Sequence, residues 1–203
     1  MTGRWLTNLA SAIGLSVILP VVLPAQTGSW RIDPLHSSAQ FSVRHMMIST
    51  VRGHFGGVKG AVIYDPANLA ASSVEATIDC STVNSGEPKR DSDLKTAEFF
   101  DVKRYPVMKY KSKRVDVAGP GKLKVTGDLT INAISREVVL DVEGPTPSIR
   151  DTQGREKIGI SAVTKISRKE FGILYNPVME TGGVAVSDEV AIELEIELIH
   201  NTN

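Results

Sequence analysis

From Trp30 onward, hydrophobic and polar residues alternate with a period of two, the pattern of strands with one buried face. Phe41 and Val43 share one side of their segment, and Ser42 and Arg44 the other. Val74, Ala76, Ile78 and Cys80 alternate with Glu75, Thr77 and Asp79. Met108 and Tyr110 oppose Lys109, Lys111 and Lys113. Leu123, Val125, Gly127, Leu129 and Ile131 form the next apolar row, followed by Val138, Leu140 and Val142. A further row runs through Ile158, Ile160, Ala162, Thr164 and Ile166. The last segment alternates most regularly, with Ile192, Leu194, Ile196 and Leu198 against Glu193, Glu195 and Glu197. Turn chemistry separates these rows at Asp65-Pro66, at Gly119-Pro120-Gly121 and between Asn132 and Ser135. Gly53, Gly56, Gly57 and Gly60 punctuate an early strand region, as bulges and sharp bends require.

One stretch breaks the period. Between Pro88 and Pro106 the spacing predicts a short helix over about 91–98, with Asp91 or Ser92 as N-cap and Asp93 in the first turn. Leu94 and Ala97 fall three apart on one face, and Phe99 and Phe100 follow at once. Two adjacent aromatics after so short a helix require an apolar floor, which the flanking strands must provide.

The element pattern predicts an all-β chain with one helical insert, either an antiparallel barrel or a sandwich. Eight or so strands, scattered glycines and a long last strand that needs partners on both edges favour closure into an eight-stranded barrel. Small residues in the expected inward rows (Ala61, Ala76, Gly127, Gly159 and Ala162) are compatible with a lumen, and equally with a packed core.

Composition adds an address and removes some chemistry. Residues 1–25 carry one charge, Arg4, then an apolar run from Leu9 to Leu23, and small residues around Ala25. This reads as a signal peptide cleaved after Ala25, leaving one domain over 26–203 in a periplasmic or secreted setting. The 23 Lys+Arg balance the 23 Asp+Glu. Such neutrality argues against nucleic acid, whose phosphates demand a basic face. A single cysteine, Cys80, cannot form an internal disulfide, so packing must hold the domain.

Catalytic signatures are missing: there is no G-x-S-x-G, H-E-x-x-H, C-x-x-C or P-loop pattern. His45 and His54 are the one pair with metal-binding potential, across neighbouring strands, and the basis of an alternative reading as a lipid-modifying or metal-dependent hydrolase. The favoured reading is a binding protein, not an enzyme, with no metal and no cofactor other than a bound ligand. A structural or adaptor barrel without ligand is the other alternative.

A set of short motifs in fixed order resembles the YceI-like proteins. It comprises Trp30-Arg-Ile-Asp-Pro-Leu-His-Ser37, Phe41-Ser-Val-Arg-His45 and Val51-Arg-Gly-His-Phe55. Arg90-Asp91, Leu94, Phe99-Phe-Asp101, Tyr105-Pro106 and Gly127-Asp-Leu-Thr-Ile131 follow, then Ser167-Arg-Lys-Glu-Phe-Gly172 and Val186-Ser-Asp-Glu-Val190. The resemblance implies an extended lipocalin-like barrel whose tunnel holds a polyisoprenoid, an isoprenoid quinone or a fatty-acid-like chain. On that reading Phe41, Val43, Ile63, Ile78, Leu94, Phe99, Phe100, Met108, Tyr110, Leu129, Ile131 and Ile160 line the tunnel. His45, Arg90 and Asp91 stand near a polar head, although Arg90 and Asp91 serve equally as a salt bridge pinning the insert. The expected partners are an amphiphilic lipid, a membrane in transient contact and a second copy of the chain.

Overall fold

The computed structural model describes residues 28–177 and 184–201, so the leader expected over 1–25 lies outside the described residues. Eleven strands form one antiparallel sheet: β1 (Gly28–Ile32), β2 (Ser38–His45), β3 (Ser49–Phe55), β4 (Lys59–Tyr64), β5 (Ser73–Asp79), β6 (Val107–Gly119), β7 (Lys122–Ile131), β8 (Ile134–Glu143), β9 (Ile149–Arg150), β10 (Glu156–Ser167) and β11 (Val186–His200). One helix, α1 (Pro88–Leu94), lies between β5 and β6. Eight strands close a ring in the order β1-β4-β5-β6-β7-β8-β10-β11, as the pattern predicts. β2 and β3 continue the sheet outside that ring, and β9 is a short addition to β10.

β11 makes this arrangement possible. Of its 15 residues, those from Glu189 to Ile199 pair along one edge with β10, from Ser167↔Glu189 to Lys157↔Ile199. Its other edge takes two strands end to end: β1 at Leu198 to His200, and β2 from Val186 to Glu195. The chain leaves the ladder where it steps from β1 to β2, which frees the backbone of Glu197. Asp33 N–H donates to Glu197 O at 2.8 Å, and Glu197 N–H donates to Ser37 Oγ at 3.0 Å. Both groups are thereby satisfied at a point where no strand faces them.

Inward parity follows the sequence rows except in β6 and β4. β6 carries an extra residue between Ser112 and Arg114, so its inward set moves from Met108 and Tyr110 to Val115. A bulge of this kind bends the strand and re-aims its side chains. Opposite the bulge, Gly127 leaves room for the Tyr110 ring, whose hydroxyl donates to Val125 O at 2.8 Å. A Cβ on Gly127 would sit 2.5 Å from Lys111 O and 2.7 Å from that ring.

Three expected inward residues point out. In β4 the inward pair is Val62 and Tyr64, leaving Ile63 39% exposed and Ala61 exposed beside it. Their two-residue alternation is set by Trp30↔Val62, since the buried Trp30 fixes the register. Gly159 faces outward between Ile158 and Ile160, against Thr146. The small residues that remain inside are Ala76, Ala162 and the Gly127 notch.

The helix also starts earlier than its sequence signals suggest. Glu87, not Asp91 or Ser92, is the N-cap, accepting from Lys89 N–H and Arg90 N–H, with Pro88 at the first helical position. Proline's fixed φ and missing donor suit that position. Ala97 lies beyond the helix in exposed turns, while Phe99 and Phe100 pack inward against Phe55 and its neighbours. The insert leaves β5 at Cys80 and returns beside it, with Cys80 N–H donating to Pro106 O at 2.9 Å.

The β2–β3 turn is unusual in its residues. Met46 and Met47 both have positive φ, 49° and 61°, and Ile48 N–H donates to His45 O at 3.1 Å. Asn-Gly suits such a turn; a left-handed residue with a Cβ costs about 1–2 kcal/mol.

The Gly127 notch gives the first test. Gly127→Ala is expected to cost about 2 kcal/mol and lower the thermal midpoint by roughly 4–8 °C. Tyr110→Phe, which loses only the Val125 bond, is expected to cost about 1 kcal/mol. Calorimetry of the two variants checks the ordering.

Candidate functional site: an apolar cavity on the barrel axis

The inward rows do not meet at the barrel centre. Between them runs a cavity of about 290 Å³, lined almost wholly by carbon. At one end its wall includes Tyr64, Ser73, Leu123 and Pro145; at the other it includes Leu94, Phe99, Phe100 and Val186. Phe41, Val43, Ile78, Met108, Tyr110, Leu129, Ile131 and Ile160 line it between or beside these. Of the twelve residues expected on the wall, only Ile63 is turned away, by the β4 register.

The three polar candidates are elsewhere. His45 is exposed at the outer end of β2, where it pairs with Ser49. Arg90 donates to Ser85 Oγ at 2.7 Å and to Ser85 O at 2.9 Å. Asp91 accepts from Ser85 N–H at 2.7 Å and from Ser85 Oγ–H at 2.6 Å. Both side chains therefore fasten the insert to its own approach, through Ser85 and not through a direct salt bridge. His54 pairs with Gln40 while His45 lies five residues along the same strand, roughly 17 Å away. That separation rules out a metal site shared by the two histidines.

Sequence reasoning assigned no role to Arg168, although the Ser167–Gly172 motif contains it. It is 6% exposed and its aliphatic stem reaches the cavity wall. Its guanidinium donates to Ser187 O at 3.0 Å and to Ile173 O at 2.8 Å, tying the turn after β10 to the start of β11. Burial pulls its pKa down, and Asp188 opposes that pull. Phe171 beside it is fully buried, and Gly172 takes the left-handed conformation that ends the turn.

Asp33, His36 and Glu197 gather their ligand atoms within 4.8 Å of one another, on the outer side of the β1-to-β2 step. The Lys157 ammonium already occupies the cluster, 3.4 Å from Asp33 and hydrogen-bonded to Glu197. The cluster thus contains its own cation, and none of its residues lines the cavity. Burial pushes the Asp33 carboxyl up, but bonds from His36, the Leu35 amide and Lys157 outweigh it and bring it down to about 2. Cys80 is also buried, and desolvation pushes its thiol up to about 11. Among the described residues no helix is long and apolar enough to cross a membrane.

A wall of this kind offers shape and apolar surface. At about 30 Å³ per water-sized group, a space of about 290 Å³ holds on the order of ten such groups. Burying each methylene of a chain gains about 0.8 kcal/mol relative to water.

Comparison with known proteins places these features in a wider set. A family model described as YceI-like domain matches residues 30–198. A UPF0312 protein of Vibrio cholerae serotype O1 is 31% identical over 188 residues, covering 92% of this chain and 95% of the relative. One from Staphylococcus aureus is 33% identical over 169 residues, covering 83% and 96%. The crystal structure of Burkholderia cenocepacia BcnA superimposes with a TM-score of 0.69 at 25% identity, covering 82% of this chain and 98% of that one. A Campylobacter jejuni YCEI protein gives 0.65 at 31% identity, covering 78% and 90%. A Saccharophagus degradans domain described as polyisoprenoid binding gives 0.60 at 15% identity, covering 85% and 98%, which shows a shared fold.

Two measurements check the electrostatics. Asp33 is lowered from 3.8 to about 2. Its contribution to stability is therefore complete above the unfolded value and is lost as pH falls through the folded one. The urea midpoint of the wild type should fall more steeply between those two values than that of Asp33→Asn, which starts lower at neutral pH. The Cys80 thiol should resist a disulfide reagent in the native protein and react on unfolding.

Proposed function

This chain belongs to the YceI-like family, and on that premise we propose that it is an exported binding protein for a long-chain amphiphile. The ligand is a polyisoprenoid, an isoprenoid quinone or a fatty-acid-like chain, held along the barrel axis for transport or storage. The observation that carries this reading is the cavity of about 290 Å³ with its nearly all-carbon wall. The Saccharophagus neighbour, described as polyisoprenoid binding, lends a fold-level precedent.

The thermodynamics suit a carrier. Burying on the order of ten methylenes of a chain gains about 8 kcal/mol gross on leaving water. Relative to a bilayer, which is already apolar, most of that gain cancels. The protein can therefore accept such a chain from one membrane and release it to another without a chemical step. The apolar run over 1–25 supports export to the periplasm or beyond.

Native mass spectrometry of the protein from its own envelope, followed by solvent extraction, tests the proposal. An adduct of several hundred daltons that extracts as an isoprenoid or acyl lipid is expected. Leu94→Arg and Phe100→Arg each put a charge on the wall, where transfer of a cation is costly. Each is expected to abolish ligand retention in a folded protein, and retention unchanged in both would remove the insert from the site.

A further inference from the structure

Large apolar side chains are exposed singly over most of the barrel, which is ordinary for a soluble protein surface. At one end they collect. Met46, Met47 and Ile48 form the β2–β3 tip and are 43%, 55% and 78% exposed. Met46 N–H donates to Ala185 O at 2.8 Å, next to the exposed Val184. Ala185 N–H in turn donates to Asn176 Oδ1 at 3.0 Å, beside the exposed Leu174 and Tyr175. A clustered apolar rim of this kind marks an interaction surface.

The tip is unfavourable twice over. Its turn wants Asn and Gly, and its exposure wants polar side chains, yet three bulky apolar residues occupy it. An observed departure of this kind points to a function for the residues that cause it. Methionine is a frequent choice at surfaces that must adapt to irregular apolar partners.

Charge identifies the partner. From Pro34 to Phe55 the chain has no aspartate or glutamate, and the β2–β3 hairpin carries Arg44 and Arg52. Arg44 stands directly behind the tip, donating to Met47 O at 2.8 Å and to Thr50 Oγ1 at 2.9 Å. The two acids of β11 nearest the tip are engaged elsewhere, Glu189 with Lys165 and Asp188 with Lys169, each at 2.8 Å. An apolar tip on a basic hairpin matches a bilayer interface with anionic headgroups. The rim also adjoins the cavity, since Val186, Ile173 and Phe99 line it just behind Ala185, Leu174 and Tyr175.

We propose that this rim is a membrane-docking surface, with Met46, Met47 and Ile48 entering the interface of an anionic bilayer and Arg44 facing lipid phosphate. The surface rests on its own observations and does not require the cavity to be filled.

Co-sedimentation with phosphatidylcholine vesicles, with and without phosphatidylglycerol, tests it. Wild type and variants are compared as the host processes them, with the same N-terminus. The combined variant Met46→Asn, Met47→Gly, Ile48→Ser installs the residues the turn favours, so its thermal midpoint should not fall. Its partition onto vesicles is expected to weaken roughly tenfold or more. Arg44→Gln should weaken binding to the phosphatidylglycerol vesicles and leave binding to phosphatidylcholine alone unchanged. Partition unchanged in the combined variant overturns the proposal, as does a wild type that binds neither vesicle. A concentration-dependent dimer abolished by the combined variant, without any change in vesicle binding, would make the rim an interface between copies and also overturn it. Solvent extraction of the same variant reads the cavity separately, so loss of docking and loss of cargo are distinguishable.

Discussion

The backbone of β11 at Glu197 is the point on which the architecture depends. One strand must close the barrel against β10 on one edge and serve both β1 and β2 on the other. A sheet edge cannot change partners without freeing backbone groups, and buried free groups are costly. Asp33 N–H and Ser37 Oγ take up the two groups at the change, while Lys157 balances the carboxylates that collect there. The Asp-x-x-His-Ser motif therefore has a structural explanation: it makes the step from β1 to β2 possible. Without that step the chain would have a ring but no β2–β3 hairpin beyond it.

A barrel with an open axis gives up contacts that a filled one would have. Each wall residue lacks partners on its inner side, and the forfeited dispersion adds up over the length of the cavity. The protein compensates at the ends and in the layers between. Phe55, Met108, Ile131 and Phe171 pack under the insert, and Trp30, Ile32, Ile158 and Leu198 pack around β1. A third group, Val115, Val125, Val142 and Ala162, packs beside Leu123 and Val74 toward the end away from the insert. The stability of the fold is thus distributed around a space that ordinary packing would have filled.

Most of the wall was legible because a strand's two-residue period depends only on which residues alternate. Once Phe41, Leu129 and Ile160 were placed in their rows, closure put them on one axis. What escaped the sequence depends on register and single inserted residues. Ile63 and Val62 are both apolar, and the choice between them belongs to Trp30 on the next strand. The β6 bulge shifts parity by one extra residue that no local signal marks. Glu87 is an uncommon N-cap, so the capping preference pointed instead to Asp91, whose carboxylate is engaged by Ser85. Arg90 and Asp91 have the look of a binding pair in sequence because a charged motif beside aromatics fits a head-group site as well as it fits a clasp.

The closed ring and the added hairpin differ in how firmly they are joined to the rest. Even the short pairings within the ring, such as the three residue pairs of β8 with β10, lie beside long ladders on either side. The outer edge of β3 instead meets the insert through one bridge, His54 with Asn84, whose two backbone bonds are each 2.9 Å. The insert itself is fastened by side chains: Arg90 and Asp91 to Ser85, and Asn132 Nδ2 donating to Phe99 O at 2.7 Å. Parting the wall along that seam breaks few backbone bonds, whereas parting it between β6 and β7 would break a ladder running from Lys109 to Lys122. Local opening follows the least costly set of bonds. The aromatic floor of the insert connects the seam to the apolar rim, with Phe100 against Phe55 beside the seam and Phe99 against Tyr175 at the rim. The few backbone bonds of the seam and the packing of Phe99 and Phe100 are therefore what hold this side of the wall closed.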